Sequence, residues 1–140
     1  MNTNLEKVPY AVFDDSKFPI IKVIFSSKEP SDKEFDEFLA QFEIYLKRQK
    51  TYLVIFDTRL SSSFPNRLIK RIAAWMRFNE TKIRQYAAGA VFIINNLSIR
   101  MALKTIFLLK TPPISVHIAA TEEEALAWVE NILENIQTHD

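Results

Sequence analysis

Two short apolar runs in the middle of the chain constrain its fold more than any other feature. They are "YLVIF" at 52–56 and "AGAVFII" at 88–94. Their hydrophobicity is continuous rather than alternating, which predicts strands that are buried on both faces, as in the centre of a parallel sheet. A long helical pattern over 65–87 separates them. Strands that alternate with helices in this way are typical of α/β domains.

The flanking segments extend the same alternation. Residues 8–25 predict two strands joined by a hairpin turn, and Asp14, Asp15 and Ser16 supply its turn chemistry. The predicted order is β-β-α-β-α-β-α-β-α, in a single mixed, mostly parallel sheet with helices packed on it. Besides the helix at 65–87, helical patterns occupy 31–50, 97–110 and 121–136. A fifth strand pattern occupies 114–120.

Capping residues support these helices. Ser31 and Glu34 form a capping-box pattern at the start of the first helix. Asn95 or Asn96 is expected to cap the third helix, and Thr121 the last one. In the last helix the apolar residues recur at helical spacing and predict a stripe that docks on the sheet. These residues are Ala125, Trp128, Val129 and Ile132.

Composition predicts one domain over 1–140, with a core at about 8–136. Hydrophobic residues make up 48% of the 140 and charged residues 25%, as in ordinary globular domains. The first residues carry no signal-peptide pattern, and no apolar run approaches the roughly 20 residues that span a bilayer. We therefore expect a cytoplasmic protein without a transmembrane segment.

Several kinds of active site are disfavoured. The chain has no cysteine and a single glycine, Gly89, which rules out thiolate chemistry and glycine-rich phosphate cradles. Its histidines, His117 and His139, have no second histidine or carboxylate at metal-ligand spacing. No G-x-S-x-G motif is present. We predict no metal, no cofactor and no enzymatic activity.

Charge is divided unevenly along the chain. Residues 59–110 carry ten basic side chains and one acidic one, whereas residues 111–140 carry six acidic and no Lys or Arg. Either the two blocks neutralise each other, or the basic block faces an anionic partner. In the second helix Arg67, Lys70 and Arg71 lie opposite the apolar face and are predicted to face solvent or a partner. The aromatic residues stand mostly on apolar faces, so nucleic acid is not an expected partner.

The turn "DTRLSSSFPN" after the first central strand is the strongest candidate site. It lies at the carboxyl edge of a parallel strand, where ligands bind in open α/β sheets, and a helix begins just after it. Asp57, Ser61 and Asn95 would meet there in one shallow pocket. The structural alternative is that Ser62 or Ser63 caps the helix while Asp57 orders the loop. The candidate binding residues are Asp57, Thr58, Arg59, Arg67, Lys70, Arg71 and Asn95.

The element order resembles the STAS fold of anti-sigma-factor antagonists, and the whole chain is similar to the SpoIIAA-like (STAS/SEC14) family. The resemblance is carried by "VIFDTR", by Arg71, Trp75 and Asn79 in the second helix, by "GAVFI" and by "TEEEALAWV". It implies a four- or five-stranded mixed sheet. It also implies phosphorylation at the start of the second helix, for which the candidates are Ser61, Ser62 and Ser63. The usual Asp-Ser-Gly is absent here.

Two functions follow as expectations. The first is a non-enzymatic regulatory or interaction domain that binds a protein partner through the sheet-edge turn and the basic second helix. The alternative is a small-molecule or lipid-binding module of the SEC14 type, although we expect so short a chain to leave little room for a deep lipid cavity. The nearly all-apolar third helix would suit either core burial or a homodimer contact.

Overall fold

The structure, a computed structural model, describes residues 8–138, with side chains described through residue 136. No helix in this range is both long and apolar enough to cross a membrane. The strands are β1 (Ala11–Lys17), β2 (Ile20–Phe25), β3 (Tyr52–Asp57), β4 (Ala87–Ile93) and β5 (Val116–Ala119). The helices are α1 (Asp32–Lys47), α2 (Asn66–Phe78), α3 (Glu80–Tyr86), α4 (Leu97–Leu109) and α5 (Glu122–Thr138).

The five strands form one sheet in the order in which they occur along the chain. β1 runs antiparallel to β2, whereas β2, β3, β4 and β5 are mutually parallel. Each parallel pair is joined by a helical connection, as parallel neighbours require. The predicted α/β fold with a single mixed, mostly parallel sheet is therefore confirmed.

β3 separates two apolar cores, as its continuous hydrophobicity predicts. Leu53 and Ile55 point to one face, where they pack with Ala125 and Val129 of α5. Val54 points to the opposite face, which helices α1 to α4 cover. Four helices thus share one side of the sheet, and α5 alone covers the other.

The hairpin turn lies later in the chain than the sequence predicts. β1 continues through 14–16, so the prediction of a turn at these residues is wrong. Asp14 Oδ1 accepts a hydrogen bond from the Ser16 amide at 3.0 Å, and the pairing register shifts between Asp14 and Lys17. These polar residues make an irregularity within the strand, and the chain reverses at 18–19 instead.

The capping predictions for the first and last helices are confirmed. Ser31 Oγ accepts from the Glu34 amide at 3.2 Å, and Glu34 Oε1 accepts from the Ser31 amide at 3.0 Å, which completes the capping box. Thr121 Oγ1 accepts from the Glu124 amide at 3.2 Å in the first turn of α5. Local sequence therefore sets where both helices begin.

The predicted second helix over 65–87 is in fact two helices. Asn79 separates α2 from α3, with φ −102° and ψ 12°. Its side chain is buried and donates to the Trp75 carbonyl at 3.1 Å, alongside the Asn79 amide at 3.0 Å. An asparagine side chain that competes for helix carbonyls favours a break, which hydrophobic spacing does not reveal.

Candidate functional site

An apolar cavity of about 210 Å³ lies between the sheet and the helices on its four-helix face. Its floor is formed by β3 and β4, through Val54, Phe56 and Phe92, and its walls by α1, α2 and α4. Aromatic rings contribute much of the wall: Phe35, Phe38, Phe42, Phe64, Trp75 and Phe107. The volume exceeds the about 150 Å³ that holds one benzene in an engineered cavity, and it is below the about 300 Å³ of the smallest ordinary ligand pockets.

The cavity opens at the carboxyl edge of the sheet. Of the described residues that line it, only Ser27, Ser62 and Ser63 are exposed. Ser27 follows β2, and the other two serines follow β3, so all three stand at the edge where parallel strands end. These three residues are called the serine mouth below. A ligand in the cavity would meet exposed hydroxyl groups at this end.

Among the described residues that line the cavity, nearly all are uncharged. Tyr10 and Tyr52 line it, and burial raises the pKa of Tyr10 and raises that of Tyr52 to about 12, so both phenols stay neutral near pH 7. Lys28, the one charged residue within 8–136 that lines it, pairs with Glu34 at 2.8 Å. Because an isolated charge is costly to bury in such surroundings, the cavity suits a neutral apolar molecule.

Asp57 does not belong to this cavity. It continues the alternation of Leu53 and Ile55 and therefore points to the α5 face of the sheet. Arg59 folds back on it, donating from Nε to Oδ1 at 2.9 Å and from a terminal nitrogen to Oδ2 at 2.7 Å. The Arg59 amide also donates to Oδ1, at 3.1 Å. The expectation that Asp57 orders the loop is confirmed, but Asp57 and the serines face opposite sides of the sheet.

The Asp57–Arg59 pair extends into a charge network with the start of α5. Glu122 lies 3.5 Å from the Arg59 guanidinium and also pairs with Lys22 of β2. Hydrogen bonds from the Arg59 side chain hold the pKa of Asp57 below its usual range, and the Lys22 ammonium does the same for Glu122. The network ties α5 to β2 and to the end of β3. Its charges satisfy one another, which is typical of a structural role.

The neighbouring turn is organised by Asn96 rather than Asn95. Asn96 Oδ1 accepts from the Ile99 amide at 2.8 Å and caps α4, while its Nδ2 donates to the Ser61 carbonyl at 2.7 Å. Thr58 Oγ1 donates to the Ile93 carbonyl at 2.7 Å, which fixes the same two turns to each other. Asn95 is exposed and does not line the cavity, so the predicted pocket with Asp57, Ser61 and Asn95 does not form.

The serines do not cap α2. Pro65 occupies the N-cap position, and no side chain makes the capping hydrogen bond. The structural alternative for Ser62 or Ser63 is therefore wrong. The proline ring fixes the φ of this residue, here −61°, and ψ is 130°, so the backbone before the helix is extended without a serine side-chain hydrogen bond. The side chains of Ser62 and Ser63 are left at the mouth of the cavity.

Two of the basic residues predicted to meet a partner instead join α2 to α1. Arg67 lies 3.1 Å from Asp32 and donates to the Pro30 carbonyl at 3.0 Å. Arg71 pairs with Asp36, and its guanidinium lies 5.0 Å from the centre of the Phe35 ring. The basic block at 59–110 is thus partly neutralised by acidic residues of α1. The division of the sequence into a basic middle and an acidic tail does not suggest these partners. Lys70 is exposed.

His117 of β5 packs against α5. Its ring stacks on Trp128 with centroids 5.5 Å apart, and its Nε2 lies 3.4 Å from Glu124. His139 lies outside the described residues. Within 8–138 no cluster of three His, Asp or Glu side chains is arranged to hold a metal ion.

The sequence interpretation missed the cavity walls. Phe35, Phe38 and Phe42 recur at helical spacing and form an apolar stripe on α1, but a stripe does not tell whether it fills the core or encloses a space. One signal was present: 11 of the 140 residues are phenylalanine, against one glycine. Comparison with known proteins adds no assignment, because no protein-family model matches the chain and no curated protein is significantly similar to it.

Proposed function

We propose that this protein is a non-enzymatic binding module that holds a small, neutral, apolar ligand in the cavity between the sheet and helices α1, α2 and α4. The observation that carries the proposal is the pairing of an aromatic, uncharged interior with a single set of exposed lining residues, the serine mouth. This is the common composition of a small-molecule site, mostly apolar with a few polar groups at one end. The SEC14 side of the resemblance also favours an apolar ligand.

The size of the cavity limits the ligand. A volume of about 210 Å³ suits a single ring with substituents or a short alkyl chain. A hydroxyl or carbonyl on the ligand would lie against Ser62 and Ser63, where hydrogen bonds cost no burial of a charge. A longer molecule would place only its apolar end inside. We therefore expect neutral alcohols to bind better than carboxylates of equal length.

The test is isothermal titration with 1-octanol and, separately, with sodium octanoate. Wild type is expected to bind octanol, and binding is expected to raise the melting temperature, because the ligand binds only the folded state. Ala90 lies on the cavity side of β4, and Ala90→Ile places a branched side chain that suits a strand into the space. Its matched control is Ala40→Leu on the exposed surface of α1.

Octanol binding that is lost in Ala90→Ile and kept in Ala40→Leu supports the proposal, provided that both variants keep the circular dichroism of wild type. Equal binding to Ala90→Ile and wild type overturns it, as does the absence of binding to wild type at saturating octanol. Should Ala90→Ile fail to fold, Ala102→Leu on the α4 wall replaces it.

A second candidate function is the regulatory interaction domain. It is favoured by one observation: Ser62 and Ser63 are exposed and are not used as helix caps. A phosphate on either would lie at the first turn of α2, where helix amides favour negative charge. Intact-mass measurement of the protein purified from its own cells tests this. Absence of any phosphorylated species, together with unchanged partner binding in Ser62→Asp/Ser63→Asp, would remove the candidate.

A further inference from the structure

The outermost line of α4 is apolar. Leu97, Met101 and Leu108 are 72%, 51% and 79% exposed. At 3.6 residues per turn they fall within about 40° of one another, and they lie opposite the buried side of the helix, which Ile99 and Ile106 occupy. They are therefore not the margin of the core. We call these three residues the outer ridge.

Cations border the outer ridge. Arg100 and Lys104 project beside it from the same helix, and neither forms an ion pair with any residue of 8–138. Helix α2 lies against α4, with the Arg77 guanidinium donating to the Leu109 carbonyl at 3.2 Å, and it adds the exposed Lys70. Neither α2 nor α4 contains an acidic residue. An apolar ridge beside cations, on helices without acidic residues, is complementary to a surface that is anionic outside and apolar beneath.

We propose that this face docks on the surface of an anionic lipid bilayer, with the outer ridge inserted at the boundary between head groups and acyl chains. An interfacial helix of this kind gains from buried apolar area and from attraction between its cations and anionic head groups. Arginine and lysine stems reach from such a depth back to the phosphates. A second copy of the chain is a poorer occupant, because a two-fold contact would oppose the same cations.

Docking in this orientation would also serve the cavity, a consequence that rests on the proposed function. Asn96 precedes Leu97 and donates to the Ser61 carbonyl at 2.7 Å, so the first turn of α4 is tied to the loop that carries Ser62 and Ser63 of the serine mouth. With the outer ridge in the bilayer, the mouth stands at the membrane surface. An apolar ligand would then enter from the lipid with little exposure to water.

The experiment is co-sedimentation of the full chain with vesicles of phosphatidylcholine alone or with about one-third phosphatidylserine. Binding to the anionic vesicles is expected to be at least about tenfold stronger and to weaken as salt is raised. Two variants are each expected to bind the anionic vesicles at least about tenfold more weakly. One is the triple variant Leu97→Ser/Met101→Ser/Leu108→Ser, and the other is Arg100→Glu/Lys104→Glu. The matched controls change exposed residues elsewhere in the protein and should bind the vesicles as wild type does. They are Val12→Ser/Ile44→Ser and Lys47→Glu/Lys50→Glu.

Three outcomes would overturn the proposal: wild type that does not sediment with anionic vesicles, equal binding to neutral vesicles, or equal losses in the controls. A dimer in light scattering that the triple-serine variant abolishes, without vesicle binding, would assign the ridge to contact between copies instead. Ala90→Ile separates this proposal from the cavity. It is expected to lose octanol and still sediment with the vesicles, whereas wild type that sediments but never binds octanol would overturn only the proposed function.

Discussion

The indole of Trp128 lies directly over Gly89. A Cβ built on this glycine would stand 2.9 Å from Cη2 of the indole and 3.2 Å from Cδ1 of Ile132. The chain's single glycine is therefore set inside β4 to admit an aromatic ring from α5. The ring also stacks on His117, with centroids 5.5 Å apart, so it has little room to withdraw.

Gly89→Ala is accordingly expected to destabilise the protein by about 1–3 kcal/mol through overpacking, measured by urea denaturation. The double variant Gly89→Ala/Trp128→Phe should recover part of that loss, because phenylalanine lacks the ring atoms that clash. Trp128→Ala alone should cost roughly 2–3 kcal/mol, less than the about 3–5 kcal/mol for full burial, since the indole is half-buried. A Gly89→Ala protein as stable as wild type would contradict the close packing.

Asn96→Ala is expected to lose about 1–2 kcal/mol of stability, because it removes the cap of α4 and the hydrogen bond to Ser61. Ser62→Ala/Ser63→Ala should change stability by less than about 0.5 kcal/mol, because neither side chain caps α2. Chemical denaturation of both variants provides the comparison. The reverse ranking would show that the serines, rather than Asn96, hold this edge of the sheet.

Arg67→Glu/Arg71→Glu is expected to lower stability by roughly 1 kcal/mol, since it replaces two partly exposed ion pairs with α1 by like-charge contacts. Lys70→Glu/Lys82→Glu reverses two exposed charges on α2 and α3 that form no ion pair within 8–138, and it should leave stability unchanged. Adding Asp32→Lys/Asp36→Lys to the arginine variant should restore most of the loss. Equal effects from the arginine and lysine variants would contradict a structural role for Arg67 and Arg71.

Stability is expected to fall in acid through Asp57. Its folded-state pKa is lowered, chiefly by hydrogen bonds from Arg59, so folding favours the ionised form. That contribution is fully present above the ordinary carboxyl pKa of about 3.9 and is lost as pH falls through the lower folded value. Asp57→Asn should cost about 1–2 kcal/mol at neutral pH and flatten the dependence of the urea midpoint on pH below about 4.

Glu123→Gln is the control for that measurement. Glu123 is exposed in the first turn of α5, beside Glu122, but it forms no ion pair within the described residues. Its acid dependence should match that of wild type. An unchanged slope in Asp57→Asn would mean that the pair with Arg59 adds nothing to stability.

The sequence alone determined the order of elements, the sheet type and most helix starts. Those features depend on local signals: continuous hydrophobicity at 52–56, the capping box at Ser31 and Glu34, and helical spacing in α5. Period and capping act over a few residues, so they can be read from one segment at a time. The break between α2 and α3 at Asn79 is not predicted by the sequence, because it depends on one side chain rather than on the spacing of apolar residues.

Only the tertiary structure decided which groups share a site. Asp57 and Ser62 are five residues apart, yet they lie on opposite sides of the sheet. Asp57 points to the α5 face because side chains alternate along β3, whereas Ser62 lies in the following loop and lines the cavity. The space enclosed by Phe35, Phe42 and Phe92 depends on how far three helices stand from the sheet, a distance that no single segment encodes. The outer ridge likewise became evident only once the core showed that α4 buries its opposite side.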